Sequence, residues 1–184
     1  MKNKRGTTTV YLLLLVLASF FGAIFLGLAV FSFNTVNSVL SQNINIGQVN
    51  LKNATDTTFG AITHGFVGNA DLIGIILLMG MCLLIIMMGY YFGSSSPKMF
   101  FIVDVFLIVI FFIPAVYVSQ TYLLFINSTT LLQGTYTNIL SKTSKFVLHL
   151  PSIMTTVGVL TMILSYVGIR KDDKINNEVS VLGY

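Results

Sequence analysis

Charge is what this chain has least of. Only 9% of its 184 residues are Asp, Glu, Lys or Arg, against 55% hydrophobic, and the mean hydropathy is +0.87. A soluble domain of this length spreads polar residues over its surface. Here the few charges lie outside long uncharged runs, which excludes an aqueous fold and selects the integral membrane class. Cysteine is nearly absent as well. The single Cys82 sits inside an apolar run, so there is no internal disulfide framework and no cysteine metal spacing, only a lipid-facing or helix-packed thiol. Catalytic signatures are missing too: no glycine-rich nucleotide loop after a strand, no His-Glu-x-x-His helix, no cysteine pair and no G-x-S-x-G elbow. Ser94, Ser95 and Ser96 have no neighbouring histidine to activate them, and His64 and His149 are too far apart in sequence, without further ligands, to make a metal site. The chain reads as non-enzymatic, with no cofactor.

What is present is four apolar runs. Leu72 to Phe92 and Phe100 to Tyr122 flank the short polar connector 93–99, and each is long enough to cross roughly 30 Å of hydrocarbon as a helix, so together they read as an antiparallel transmembrane hairpin. A first span covers 11–33 after the N-terminal tail 1–10. It is too long for the apolar core of a secretory signal, and no small-x-small cleavage site follows. A fourth covers 151–169, with Pro151 in its first turn, and the tail 170–184 follows. Segments 34–71 and 123–150 then lie on the opposite side of the membrane from the termini. Lys2, Lys4, Arg5, Lys98, Arg170, Lys171 and Lys174 share the inner side, with Lys52, Lys142 and Lys145 outside. The net charge of +4 is thus spent on topology and headgroup contacts, not on nucleic acid.

The longer outer segment, 34–71, is rich in Asn, Thr and Gly and reads as a hairpin or an irregular packed loop. In 123–150, the residues Ile139, Leu140, Thr143, Phe146, Val147 and Leu150 recur at helical spacing, with Asn138, Lys142, Lys145 and His149 opposite. This predicts an amphipathic helix in the outer membrane interface, Phe146 and Val147 on its apolar stripe and the lysines toward phosphate or water. The predicted architecture is therefore an all-α integral membrane protein, four transmembrane helices with an amphipathic interfacial helix between the third and fourth.

Individual residues carry sharper expectations. Small residues four apart, Ala18 with Gly22, Ser19 with Ala23 and Ala23 with Gly27, permit close helix packing. Asp104 lies just over one turn into the third span, and a carboxylate there must reach headgroup water, find a partner or become neutral. No other Asp or Glu falls inside an expected span, which disfavours a proton or cation relay. Pro114, mid-span, removes the bond to Ile110 and should bend the helix. Thr155, Thr156, Thr161, Ser165 and Tyr166 make the fourth span the most polar, yet such hydroxyls bond back to helical carbonyls without making a channel. Asn53-Ala54-Thr55 and Asn127-Ser128-Thr129 match the glycosylation sequon, both on the outer side.

In outline, a long first outer segment and a shorter second one, the chain resembles claudin-type four-span proteins. It lacks their tryptophan-containing first-loop signature and paired loop cysteines, having no Trp and only Cys82, so the resemblance implies no junctional function. Three functional classes remain. The leading one is a non-catalytic structural or assembly subunit whose partners are membrane lipids and other integral membrane or capsid-like proteins, as in a respiratory-type assembly or a virion with an internal membrane. The poorly charged outer segments are too short for an independent core, which suits a partner surface. The second is a pore, holin-like or transporter component, motivated by Asp104 and Pro114. The third is an accessory subunit of a membrane enzyme.

Overall fold

The computed structural model describes residues 7–42, 45–46, 49–92 and 100–164, with side chains described for 11–42, 50–90, 102–103 and 105–164. The connector 93–99 and everything from 165 onward, including the end of the expected fourth span, lie outside the described residues. In chain order the elements are α1 (Thr7–Leu40), the two-residue strands β1 (Asn45–Ile46) and β2 (Val49–Asn50), and α2 (Leu51–Thr55). A π-turn, Asp56–Gly60, leads into α3 (Ala61–Phe92), followed by α4 (Phe100–Ile126) and α5 (Thr130–Gly134). A second π-turn, Thr135–Ile139, precedes α6 (Ser141–Leu148), and α7 (Leu150–Leu164) completes the described chain. Apart from the antiparallel bridge Asn45↔Asn50 and Ile46↔Val49 and a few turn residues, the described residues are helical.

Among the described residues three helical runs are long and apolar enough to cross a membrane: Tyr11–Leu40, Leu51–Tyr90 and Val105–Ile126. The bent pair Ser141–Leu148 and Leu150–Leu164 makes a fourth if it is counted as one span. These lengths are consistent with a multi-spanning helical bundle and with membrane association. Burial points the same way. Each long helix is apolar all round but hides only one stripe, as in α1 at Leu12, Leu15, Val16, Ser19, Ala23 and Val30. Its other faces carry large bare side chains: Phe25 is 69% exposed, Ile102 on α4 73% and Leu124 74%. A helix apolar on every side whose bulky residues face outward needs a non-aqueous surround.

Helical structure runs further than the apolar runs. α1 continues past Phe33 through Asn34, Thr35, Asn37 and Ser38, residues that read as loop because they compete for backbone hydrogen bonds. Segment 34–71 holds the end of α1, a short antiparallel bridge where a hairpin was one expectation, and then nearly continuous helix in place of an irregular loop, although Gly65, Gly68 and Asn69 have poor helix propensity. Tertiary contacts account for the override: Phe33 stacks on Phe59 at 5.6 Å, and Thr55 Oγ1 donates to the Leu40 carbonyl at 3.2 Å. Local caps set the starts of the short helices. Asn50 accepts from the Asn53 amide at 3.2 Å and Thr129 from the Leu132 amide at 3.3 Å.

The chain divides into two compact units, residues 1–18, 79–120 and 149–184 in one, and 19–78 with 121–148 in the other. The first, as described, is held by close packing. The space beside Gly89 is filled by Thr161 and that beside Gly158 by Ile108, so small residues let α3 and α4 each approach α7. The second unit adds polar contacts to packing.

Candidate functional site

The densest polar arrangement lies in the second unit, around the start of α6. Asp71, from α3, reaches the first turn of that helix. Its Oδ1 accepts from the Thr143 amide at 2.8 Å and the Thr143 hydroxyl at 2.9 Å, and its Oδ2 accepts from the Lys142 amide at 3.1 Å. First-turn amides have no partner within a helix, so this carboxylate, 71 residues away in sequence, caps α6 and meets the positive end of its dipole. Gly74, one turn on along α3, makes room for the cap, because a Cβ there would strike Thr143 and Leu26. A further bond joins two buried hydroxyls, Tyr122 of α4 and Ser144 of α6, at 3.1 Å.

Tyr136, in the second π-turn, ties α1 to the same cluster. Its hydroxyl donates to the Ile24 carbonyl at 2.9 Å, and its ring fills the space left by the missing side chain of Gly27. Tyr122 and Phe125 meet the ring edge-to-face at 5.8 and 5.9 Å, favourable geometries for aromatic pairs. Burial, with Tyr122 nearby, pushes the Tyr136 phenol above its ordinary range and so keeps it a neutral donor. The arrangement brings four parts of the chain onto one set of bonds. Chemically it is a lock: the polar atoms are paired with one another. Among the described residues no group of three or more His, Cys, Asp or Glu stands ready for a metal.

No protein-family model, curated protein or solved structure matches the chain.

The candidates read from sequence fall in different places. Gly27 is buried under Tyr136, whereas Gly22 has open space around the position of a Cβ. Phe146 and Val147 are both buried, with Leu140, Thr143 and Leu150, while Asn138, Lys142, Lys145 and His149 are exposed. The amphipathic pattern thus picked the faces of α6. Its apolar stripe is covered by the protein itself, however, and the helix is shorter than Ile139 to Leu150: it begins at Ser141 after the π-turn and stops before a turn at His149. Pro114 lies half-buried within a helix that continues on both sides of it. Asp104 lies in α4, its side chain outside the described residues.

A second carboxylate stands beside the expected spans: Asp71 lies in the 40-residue helical run Leu51–Tyr90, which also holds Asp56, and one residue before the expected second span at Leu72. Asp71 directly precedes the apolar stretch from Leu72, and a lone carboxylate there requires a partner for the same reason as Asp104. That signal was legible. The identity of the partner, two amides and a hydroxyl far along the chain, was not.

Proposed function

We propose that this chain is a non-catalytic integral membrane subunit that serves the structure or assembly of a larger protein complex. One observation carries the reading: the polar side chains of the site are committed to bonds that fix one helix against another. Asp71 is used as a cap, Tyr122 and Ser144 bond each other, and Tyr136 holds α1. The polar fourth run behaves alike, since Thr155, Thr156 and Thr161 donate back to the carbonyls of Pro151, Ser152 and Val157. Groups spent in this way brace a scaffold. The topology that goes with this reading has four spans and both termini on the inner side. α6 then lies at the outer interface with Lys142 and Lys145 facing headgroups or water. Partners are other membrane or capsid-like proteins, in a respiratory-type complex or a membrane-containing virion.

The second reading is a pore or transporter component, motivated by Asp104 in the third apolar run and by Asp71 at the start of the second. Reconstitution separates the two. The protein is purified from its native membrane in mild detergent, and the isolated chain and any associated complex are each placed in liposomes. The structural reading expects stable co-purifying proteins and no conductance from the chain alone. Reproducible single-channel or proton-flux activity from that chain, altered by Asp104→Asn or Asp71→Asn, would overturn it.

A further inference from the structure

Of the three long apolar runs, Val105–Ile126 is covered least by its own chain: 17% of its most apolar stretch is buried, against 33% for Tyr11–Leu40 and 28% for Leu51–Tyr90. Its bare residues are not scattered. Ile102, Phe106, Val109, Ile113, Tyr117 and Gln120, all on α4 and all within the first compact unit, are exposed and recur three or four positions apart, so they form one ridge along the helix. The buried residues Ile108, Ala115 and Ser119 recur at helical spacing on its far side. α4 thus gives one narrow stripe to its own chain and turns another outward.

Bulky apolar side chains on that ridge are at home in lipid and by themselves call for no partner. Gln120 is different. It stands exposed inside the run, and among the described residues no hydrogen bond holds its side chain, whereas the other polar side chains there, Tyr117, Ser119, Thr121 and Tyr122, each interact within the chain. Hydrocarbon offers an amide neither donor nor acceptor, so leaving it unpaired is costly. Water is not close at hand. Leu123 to Ile126 separate Gln120 from the turn at Asn127, about 10 Å along the axis at 1.5 Å per residue, and helical side chains lean toward the N-terminus, which here is back into the run.

We propose that this ridge of α4 is the contact surface for a second copy of the same chain, with the two Gln120 side chains bonded to each other across it. The inference rests on the membrane reading above and is independent of which larger complex the chain joins. An amide carries two N–H donors and an acceptor oxygen with two lone pairs, so it is complementary to itself, and two that face each other can exchange a pair of N–H···O bonds. Membrane insertion sets the register. Copies inserted the same way are related by a two-fold axis along the membrane normal, which places each residue of the contact opposite itself at the same depth. Gln120 therefore meets Gln120. A different protein would need a polar group of its own at that depth. Spacing of three and four lets Val109, Ile113 and Tyr117 interdigitate with their counterparts, as in a left-handed helix pair crossing at about 20°.

The test is disulfide cross-linking of the full-length chain in carbonate-washed native membranes, with Cys82 replaced by Ala and one new cysteine introduced at a time. Val109→Cys and Ile113→Cys, on the ridge, should give a product of twice the chain mass under mild oxidation. Val103→Cys and Phe112→Cys, also exposed but off the ridge, should not. Gln120→Leu keeps a side chain of similar size and removes the amide, and it should weaken the pair about tenfold when dissociation is followed by energy transfer between labelled chains on dilution with lipid. Gln120 is exposed, so this change leaves the packing within one chain intact. Equal cross-linking on and off the ridge, a product of any other mass, or a Gln120→Leu pair as tight as the parent would overturn the proposal. A chain that the carbonate wash removes overturns the membrane reading and the pairing together, whereas one that stays in the membrane and gives no dimer overturns the pairing alone.

Discussion

The two compact units solve the same packing problem differently. In the unit containing 79–120 and 149–164, described helices meet through glycine: Thr161 sits on Gly89 and Ile108 on Gly158, with hydroxyls folded back onto their own helix. In the unit of 19–78 and 121–148, helices are also bonded to each other through Asp71, Tyr122 and Tyr136. The contrast follows from what each stretch is made of. Lipid tails are as apolar as leucine, so bulky apolar side chains gain little by leaving lipid for a neighbouring helix, and close approach through small residues supplies the attraction. Short, polar elements such as α6 cannot form alone, and they persist only when another part of the chain satisfies their ends.

That contrast can be broken most severely at Gly27. Gly27→Val drives a branched side chain into the Tyr136 ring and breaks its bond to Ile24, and overpacking plus one lost hydrogen bond should cost about 3 kcal/mol in denaturant unfolding in micelles. The same change at Gly22, where nothing is near, should cost far less. Asp71→Ala comes next. Loss of the cap should destabilise by about 2 kcal/mol and raise hydrogen exchange at the Lys142 and Thr143 amides, with little change at α7. Unchanged exchange there would mean that α6 does not depend on α3.

In the other unit the effects shrink. Gly89→Ala places a methyl against Thr161, whose hydroxyl is already tied to the Val157 carbonyl. Overpacking offset by better helix propensity leaves a net loss of about 1 kcal/mol. Smallest of all is Leu84→Ala. Leu84 is 60% exposed, so its removal should change stability in lipid by about 0.5 kcal/mol or less. A larger loss would show that this face is covered by a partner, and comparing isolated chain with assembled complex would sharpen the point.

Much of the fold was legible because long apolar runs leave few choices. Long uncharged runs had to be helices, and the alternation of Lys142 and Lys145 with Phe146 and Val147 told the faces of α6 apart. The helical extensions were not legible. Asn34 to Leu40 and Ala61 to Asp71 carry loop-forming residues, and their helicity depends on contacts such as Phe33 with Phe59 that no local window contains. The site was half legible. Gly27 stood out by its spacing from Ala23, whereas Tyr136, its occupant, is an ordinary polar-segment tyrosine until the two are placed together.

By itself, then, the sequence determined that the chain is built of long apolar helices and roughly where they run, since hydropathy, run length and periodicity are local quantities that act the same way in any arrangement. The tertiary structure alone decided which polar groups meet. Asp71 became a helix cap and Tyr136 a wedge over Gly27 only because residues 71 to 112 positions apart were brought within hydrogen-bonding or van der Waals reach. A hydrogen bond needs its partner within about 3 Å, and that is a property of the folded chain that composition and spacing do not contain.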